Sequence, residues 1–134
     1  MGLVHGIGTD IVRVSRMAAS LERHGERFAR RILAGAELAE FRDSRRQAHF
    51  LAKRFAAKEA MVKALGTGFR DGLTLQQIQV IHDARGRPAL DYCGRARELC
   101  RTLGIREAHL SLADEEDYAI AFVLLLAGGF TTPP

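Results

Sequence analysis

An uninterrupted apolar run near the carboxyl end constrains the fold of this chain more than any other feature. The run, YAIAFVLLLAGG, spans residues 118–129 and follows the acidic turn at residues 115–117. It is shorter than the roughly 20 residues that a membrane-spanning helix requires, so we expect no membrane partner. An apolar run of this length beside a turn is typical of a strand that is buried on both faces. We therefore predict that residues 118–126 form such a strand.

The longest helix is predicted from about Arg46 to Leu65, because Gly66 is the expected C-terminal glycine. One stripe of this helix carries the large apolar side chains of a core, namely Phe50, Leu51, Phe55, Met61, Val62 and Leu65. A neighbouring stripe begins with two alanines and ends with Glu59 and Lys63. The helix is thus expected to place a carboxylate and an ammonium group at the border of its buried stripe.

The remaining patterns predict an α+β fold in which antiparallel hairpins pack with one long central helix. A glycine-punctuated strand over residues 2–12 is expected to end close to Asp10, and Ser15 is expected to cap the next helix. The other predicted elements are helices over about 16–24, 26–33, 36–42 and 94–103, a hairpin of QIQVIHD with RPALDY, and a hairpin of HLSLAD with YAIAFVLLL. At 134 residues and 47% hydrophobic, the chain fits a single domain over residues 1–134, with a frayed tail at 128–134.

Positive charge is confined to the part of the chain before residue 107. All 20 Lys and Arg residues lie there, whereas residues 107–134 contain five acidic residues and no Lys or Arg. A focused positive field attracts anionic partners such as nucleic acid, an acidic protein or a phosphorylated small molecule. The chain lacks zinc-finger spacing and the interleaved aromatic and basic residues of RNA-binding motifs, so we expect no nucleic acid partner.

Two features bear on the compartment. Cys93 and Cys100 stand seven residues apart without a CxxC pair, which indicates reduced, packed thiols. The first residues, MGLVHGIG, lack the basic and extended apolar regions of an export signal. We therefore expect a cytoplasmic protein.

Candidate chemistry is concentrated around two carboxylates. Asp10 lies in a glycine-flanked apolar strand, where a carboxylate without a metal or a hydrogen-bond donor is costly to bury. Asp10 and Glu59, completed by substrate phosphates and water, would make a typical Mg²⁺ site. The Gly66-Thr67-Gly68 loop would offer backbone N–H groups and a hydroxyl beside Lys63 for phosphate oxygens. A turn role for Asp10 and a solvated pair of Glu59 with Lys63 are the simpler alternatives.

Two motifs together, GIGTDIV near the amino terminus and RFAAKEAMVKALGTG over residues 54–68, resemble those of the holo-acyl-carrier-protein synthases. This family is the small bacterial class of 4'-phosphopantetheinyl transferases, and FLAKRFAAKEA, GRPAL and HLSLAD also stand in the family order. The resemblance implies a Mg²⁺-dependent enzyme that transfers the 4'-phosphopantetheine group of coenzyme A to a serine of apo acyl carrier protein and releases adenosine 3',5'-bisphosphate. It also implies a homotrimer with active sites at the subunit interfaces, which would cover the second face of strand 118–126.

The resemblance also implies roles for individual residues. Asp10 and Glu59 would hold Mg²⁺, and Lys63 would contact the pyrophosphate. Glu59, directly or through a metal-bound water, is the expected acceptor of the serine proton. The coenzyme A site, to which a neighbouring subunit is expected to contribute, corresponds to Arg46, Phe50, Arg54, Lys58, Lys63, Gly66, Thr67, Gly68, Pro88 and His109.

The arginines of the first helical stretch are predicted to bind the carrier protein. Arg16 and Arg23 are two helical turns apart and project from one face, and Arg27 follows shortly after the break at Gly25. The carrier implied by the family is strongly acidic, so these charges would speed its encounter with the enzyme. A solvated surface is the simpler alternative.

Two other functions are compatible with the same residues. A basic binding module for RNA or an acidic protein would bind its partner without turnover. A metal-dependent phosphohydrolase would use Asp10, Glu59 and Mg²⁺ with water as the acceptor, and it would hydrolyse its substrate without a carrier.

Overall fold

One long helix packs against a three-stranded sheet and against three shorter helices. The computed structural model describes residues 3–128. In chain order these residues form β1 (Leu3–Arg13), α1 (Val14–His24), α2 (Glu26–Ile32), α3 (Gly35–Asp43), α4 (Gln47–Leu65), a 3₁₀ turn (Leu75–Gln77), β2 (Ile78–His82), β3 (Pro88–Tyr92), α5 (Gly94–Thr102), β4 (Ile105–Asp114) and β5 (Tyr118–Ala127). The predicted α+β class is confirmed. The predicted frayed tail lies outside the described residues from residue 129 onward.

All strand pairs are antiparallel. The larger sheet has the order β1-β5-β4, and β2 pairs with β3 in a separate hairpin, so both predicted hairpins are present. In the larger sheet, Asp10 lies opposite Ala121 of the central strand. Within residues 3–128, no helix combines the length and the apolar character that crossing a membrane requires.

The predicted end of the long helix α4 is confirmed, but the predicted cap of α1 is not. Gly66 adopts a left-handed conformation with φ 81° and its N–H donates to the carbonyls of Val62 and Lys63, so α4 ends where predicted. In contrast, β1 continues past Asp10 to Arg13, and α1 begins with the next residue, Val14. The N–H of Val14 donates to the main-chain oxygen of Asp117 at 2.8 Å, which supplies a partner at the helix start. Ser15 therefore lies inside α1 and is not its cap.

The glycines of β1 let the strand lie directly on α4. A side chain at Gly6 would collide with the main-chain oxygen of Ala64, and one at Gly8 would collide with that of Ala60. The alanines of α4 that contact the sheet are accordingly buried. This close approach fixes the distance between the backbone of β1 and the face of α4 that carries charged residues.

The sheet is covered on one face only within the chain. Along β5, the side chains of Ala119, Ala121, Val123 and Leu125 face α4 and are buried. The alternating residues Ile120 and Phe122 are 44% and 40% exposed, and Ile7 and Ile11 of β1 are each 60% exposed. The prediction that β5 is buried on both faces is thus wrong for the single chain. The reason is that α4 packs on one side, and no described element covers the other.

Candidate active site

Asp10 and Lys63 form an ion pair between β1 and α4. Asp10 alternates with Gly8 and Val12 on the side of β1 that faces α4, and its side chain is only 16% exposed. The Nζ atom of Lys63 donates to Oδ1 of Asp10 at 3.0 Å and to the main-chain oxygen of Thr9 at 2.9 Å. Lys63 thus forms its ion pair with Asp10 of β1. This disfavours the simpler alternative, in which Lys63 pairs with Glu59 on the solvated surface of α4.

Glu59 is one turn before Lys63 on α4 and belongs to the same cluster. Burial raises the pKa of the Glu59 carboxyl, and the negative charge of Asp10 raises this pKa further. The positive charges of Lys63 and Arg16 act in the opposite direction. Two carboxylates and two cations are therefore close enough to influence one another electrostatically. Such clusters of coupled titratable groups are frequent at functional sites.

The two carboxylates fit a divalent cation that is shared with a substrate. Burial is the main cause of the raised pKa of Glu59 and repulsion by Asp10 is the second, and a cation between the two carboxylates relieves this repulsion. Among residues 3–128, no group of three or more His, Cys, Asp and Glu side chains forms a metal cage. Mg²⁺ is commonly held by one or two carboxylates together with water and substrate phosphates. Asp10 and Glu59 supply this kind of incomplete ligand set.

Two of the predicted coenzyme A residues line a groove at the start of α4. Arg46 and Phe50 border a space of about 240 Å³, which we call the basic groove; its full lining is Ser44, Arg45, Arg46, His49, Phe50, Lys53 and Asp114. Arg45 and Lys53 were not predicted as site residues. The dense run of cations around the start of α4 was the available signal, but charge density alone does not show which side chains face a groove.

Two other predicted residues line a second groove. Pro88 and His109 border a space of about 450 Å³ between β3 and β4, which we call the hairpin groove; its full lining is Asp83, Arg87, Pro88, Ala89, Ala108, His109 and Leu110. His109 is exposed, and its Nε2 atom lies 3.0 Å from Oε2 of Glu107. The single chain therefore places these four predicted coenzyme A residues in two separate grooves.

Lys58 and Arg54 occupy the core and not an open surface. The side chain of Lys58 is fully buried, and its Nζ atom donates to Glu37 and to the carbonyls of Ile32 and Leu75. Arg54 is 5% exposed and also pairs with Glu37. Burial lowers the pKa of the Lys58 ammonium, which Glu37 opposes. We correct the prediction for both residues: Lys58 and Arg54 are buried charges that pair with Glu37, and they line neither groove.

The loop after α4 offers fewer free donors than predicted. The N–H of Gly66 donates within the helix end, and the Thr67 hydroxyl donates to the main-chain oxygen of Gly68 at 3.1 Å. Gly66 and Gly68 both have positive φ angles, which glycine adopts without strain. The loop is placed beside Lys63 by the end of α4, but Gly66 itself is committed to capping the helix.

The predicted carrier-binding arginines differ in their surroundings. The guanidinium of Arg16 lies over the ring of Phe55 at 5.9 Å and lowers the pKa of Glu59, so it is close to the carboxylate cluster. Arg23 is exposed near the end of α1. Arg27 lines a small space of about 100 Å³ together with His24, Phe28 and Arg31. These arginines therefore extend from the carboxylate cluster along α1 and α2.

This chain matches known phosphopantetheinyl transferases over most of its length. A family model described as the 4'-phosphopantetheinyl transferase superfamily matches residues 6–123. The chain is 59% identical over 126 residues to a holo-[acyl-carrier-protein] synthase of Halorhodospira halophila, with 94% of this chain and 100% of that protein covered. The chain belongs to the 4'-phosphopantetheinyl transferase superfamily, as its two motifs predicted.

Solved structures agree with this classification. The fold is similar to a holo-[acyl-carrier-protein] synthase from Neisseria meningitidis, with a TM-score of 0.87 and 42% identity over 92% of this chain and 98% of that one. It is also similar to a holo-(acyl-carrier-protein) synthase from Bacillus anthracis in complex with CoA (3',5'-ADP). That match has a TM-score of 0.78 and 32% identity, and covers 93% of this chain and 98% of that one.

Proposed function

We propose that this chain transfers the 4'-phosphopantetheine group of coenzyme A to a serine of apo acyl carrier protein and releases adenosine 3',5'-bisphosphate. The observation that carries the proposal is the cluster of Asp10, Glu59 and Lys63 at the contact of β1 with α4. Relatives of high identity are named holo-[acyl-carrier-protein] synthase, and a similar structure is described in complex with CoA (3',5'-ADP).

Asp10 and Glu59 would hold Mg²⁺, which when bound neutralises negative charge on the diphosphate of coenzyme A. Glu59 accepts the proton of the serine hydroxyl, and its raised pKa makes it a better proton acceptor than an ordinary glutamate. The serine oxygen then attacks the phosphorus that carries pantetheine, and the bond from this phosphorus to the bisphosphate breaks. Lys63, whose side chain is 54% exposed, contacts the pyrophosphate oxygens.

Coenzyme A occupies the basic groove and the hairpin groove in this proposal. Arg46 and Phe50 contribute from the first groove, and Pro88 and His109 contribute from the second. The cations of the basic groove suit phosphate groups. The loop of Thr67 and its flanking glycines lies at the end of α4 that carries Lys63 and completes the proposed site.

The carrier protein docks on α1 and α2. Arg16, Arg23 and Arg27 face an acidic partner, and Arg16 lies nearest to Glu59. Placing the carrier there brings its serine toward the carboxylate that accepts the proton. Charges at the rim of such an interface act chiefly on the rate of encounter and on its salt dependence.

We propose that three copies of the chain associate through the outer face of the larger sheet. This face exposes Ile7, Ile11, Ile120 and Phe122 side by side, because Ile11 pairs with Ile120 and Ile7 lies on the same face of β1. Exposed apolar patches of this kind mark association surfaces. Association would also allow the two coenzyme A grooves to come from different subunits. Sedimentation equilibrium tests this, and an active monomer at micromolar concentration would refute it.

The state of the cysteines is compatible with a cytoplasmic enzyme. Cys93 and Cys100 are both free thiols, the first exposed and the second buried. Burial raises the pKa of the Cys100 thiol to about 11, so this thiol stays protonated. We propose the reducing cytoplasm as the compartment in which the chain works.

A single assay distinguishes transfer from the alternatives. The protein is incubated with coenzyme A, Mg²⁺ and an apo acyl carrier protein, and the mass of the carrier is measured. Transfer adds the phosphopantetheine mass to the carrier. A phosphohydrolase degrades coenzyme A and leaves the carrier unmodified, whereas a binding module leaves both the carrier and coenzyme A unchanged. Asp10→Asn and Glu59→Gln should each reduce transfer by at least about 100-fold while keeping the far-UV circular dichroism of the wild type. Near-normal turnover of either variant would overturn the site.

A further inference from the structure

The imidazole of His49 has two polar partners on one ring nitrogen. Its Nε2 atom lies 2.9 Å from the Nη2 atom of Arg46 and 3.0 Å from the main-chain oxygen of Glu116. His49 is in the first turn of α4, and Glu116 is in the turn between β4 and β5. His49 therefore links the start of α4, at the basic groove, to the β4–β5 turn.

The two partners make opposite demands on the Nε2 atom. The guanidinium of Arg46 only donates, so it needs an unprotonated Nε2 as its acceptor. The carbonyl of Glu116 only accepts, so it needs an N–H on the same atom. A neutral ring with its proton on Nδ1 satisfies Arg46. An N–H on Nε2 satisfies Glu116, whether the other neutral tautomer or the imidazolium carries it, and the imidazolium also repels the guanidinium. The two hydrogen bonds thus require different states of the Nε2 atom, with and without a proton, and do not form at the same time.

We propose that His49 is a positioning residue for Arg46, and that protonation of His49 weakens the binding of coenzyme A. This inference rests on the proposed function, in which Arg46 contacts coenzyme A. Neutral His49 holds the guanidinium at the basic groove, so little side-chain freedom is lost on binding. Protonated His49 donates to Glu116 and releases Arg46. The Arg46 side chain must then become ordered when coenzyme A binds, which costs conformational entropy.

The other charges at the groove limit the size of the effect. Arg45 and Lys53 line the same space, and Asp114 lies at its edge at the end of β4. A phosphate in the groove therefore meets Arg46 as one of three cations, and a protonated His49, which lines the same space, adds a fourth that partly offsets the effect of releasing Arg46. Loss of its fixed position is expected to weaken binding by about three- to tenfold and not to abolish it.

The test compares variants that separate hydrogen bonding from titration. His49→Gln keeps an acceptor for Arg46 and a donor for Glu116 but does not titrate, and His49→Ala removes both bonds. The matched control is His82→Gln, which removes an exposed imidazole that lines neither groove. The dissociation constant of coenzyme A is measured by isothermal titration calorimetry at several pH values between about 5.5 and 8. Variants are compared at equal pH because the phosphate of coenzyme A itself titrates near pH 6.

At the alkaline end, His49→Gln should bind like the wild type, and His49→Ala should bind about three- to tenfold more weakly. At the acidic end, the wild type should bind about three- to tenfold more weakly than His49→Gln, and His82→Gln should follow the wild type throughout. Equal pH dependence of the wild type and His49→Gln overturns the inference. So does wild-type affinity of His49→Ala at the alkaline end.

A second measurement observes the contact without coenzyme A. Long-range ¹H–¹⁵N spectra of the free enzyme should show the neutral His49 ring protonated on Nδ1, and Arg46→Ala should remove this preference. A neutral ring protonated on Nε2 overturns the inference while the proposed function stands. If the Nδ1 form is found but Arg46→Ala binds coenzyme A like the wild type, the assignment of the basic groove to coenzyme A fails and the effect on affinity fails with it.

Discussion

The Nζ atom of Lys58 donates a hydrogen bond to Oε1 of Glu37 across 2.5 Å, and neither side chain is exposed to solvent. Arg54 pairs with the other carboxylate oxygen of Glu37 at 3.2 Å. Glu37 on α3 therefore contacts two cations of α4 inside the core, and Arg54 also pairs with the half-exposed Glu40 at 3.1 Å. Removing one member of such a buried group leaves the others uncompensated, which is costly in a medium of low polarity.

Glu37→Gln is expected to lower the free energy of unfolding by about 3 to 5 kcal/mol, because the fully buried Lys58 then faces a neutral amide, whereas Arg54 keeps its pair with Glu40. The matched control is Glu98→Gln, which removes the charge from the exposed pair of Glu98 with Arg95 and should cost at most about 1 kcal/mol. Urea unfolding at equal protein concentration measures both variants. Equal losses would show that the buried charges are not coupled.

The pKa of Glu59 should change in opposite directions when the charge of Lys63 or the charge of Asp10 is removed. Burial is the main reason why its pKa is raised, Asp10 adds to the rise, and Lys63 opposes it. Lys63→Met should therefore raise the pKa of Glu59 further, and Asp10→Asn should lower it. The ¹³C signal of the Glu59 carboxyl in the metal-free enzyme reports both shifts. A change in the same direction in both variants would contradict the cluster.

Gly8→Ala should disturb the site without changing any charged group. The added methyl group collides with the main-chain oxygen of Ala60, so β1 must move away from α4. Overpacking of this kind costs about 1 to 3 kcal/mol, and it also displaces Asp10 from Glu59, so the transfer rate should fall with the stability. Gly35→Ala is the control, because a methyl group there meets no atom within 4 Å. Wild-type turnover of Gly8→Ala would show that this spacing is unimportant.

Phe122→Glu should prevent assembly because it places a carboxylate in the outer apolar face of the sheet. The variant is expected to sediment as a smaller species than the wild type and to lose transfer activity. The matched control is Phe69→Glu, since Phe69 is exposed to a similar extent, 42% against 40%, but lies in the loop after α4. If both variants sediment like the wild type, the outer face is not the subunit interface.

Reversing the charges of Arg23 and Arg27 should affect the carrier and not coenzyme A. Glutamates at these positions are expected to raise the KM for the carrier severalfold and to flatten its dependence on salt. Arg101→Glu on α5 is the control for a change in net charge. Steady-state kinetics with each substrate varied in turn make the comparison. Equal effects on both substrates would place these arginines at the coenzyme site.

The sequence was sufficient where a local pattern determines the structure. Gly66 ends α4 because its left-handed conformation is a local property, and the family predicted from the two motifs is confirmed by the family model over residues 6–123. The buried state of Lys58 could not be predicted from the helix alone. Its partner Glu37 is 21 residues away on another helix, and only tertiary packing brings the two together.

The outer face of the sheet shows a second limit of the sequence. The apolar run of β5 correctly predicts a strand, but its pattern does not reveal whether a cover belongs to the same chain or to another copy. Within residues 3–128, α4 covers only the face that contains Ala121 and Val123. The hydrophobicity of β5 therefore predicts that both of its faces are covered, but it does not reveal which part of which molecule covers the second face.

The alternation of side chains along β1 makes the length of this strand as important as its composition. Asp10 faces α4, whereas its neighbours Thr9 and Ile11 face the outer side of the sheet. Deleting one residue between Gly8 and Asp10 would exchange the two sets, so that Ile11 would take the place of Asp10 facing α4 and the carboxylate would enter the outer face. A change in residue number there would therefore alter the cluster of Asp10, Glu59 and Lys63 and the outer apolar face at once.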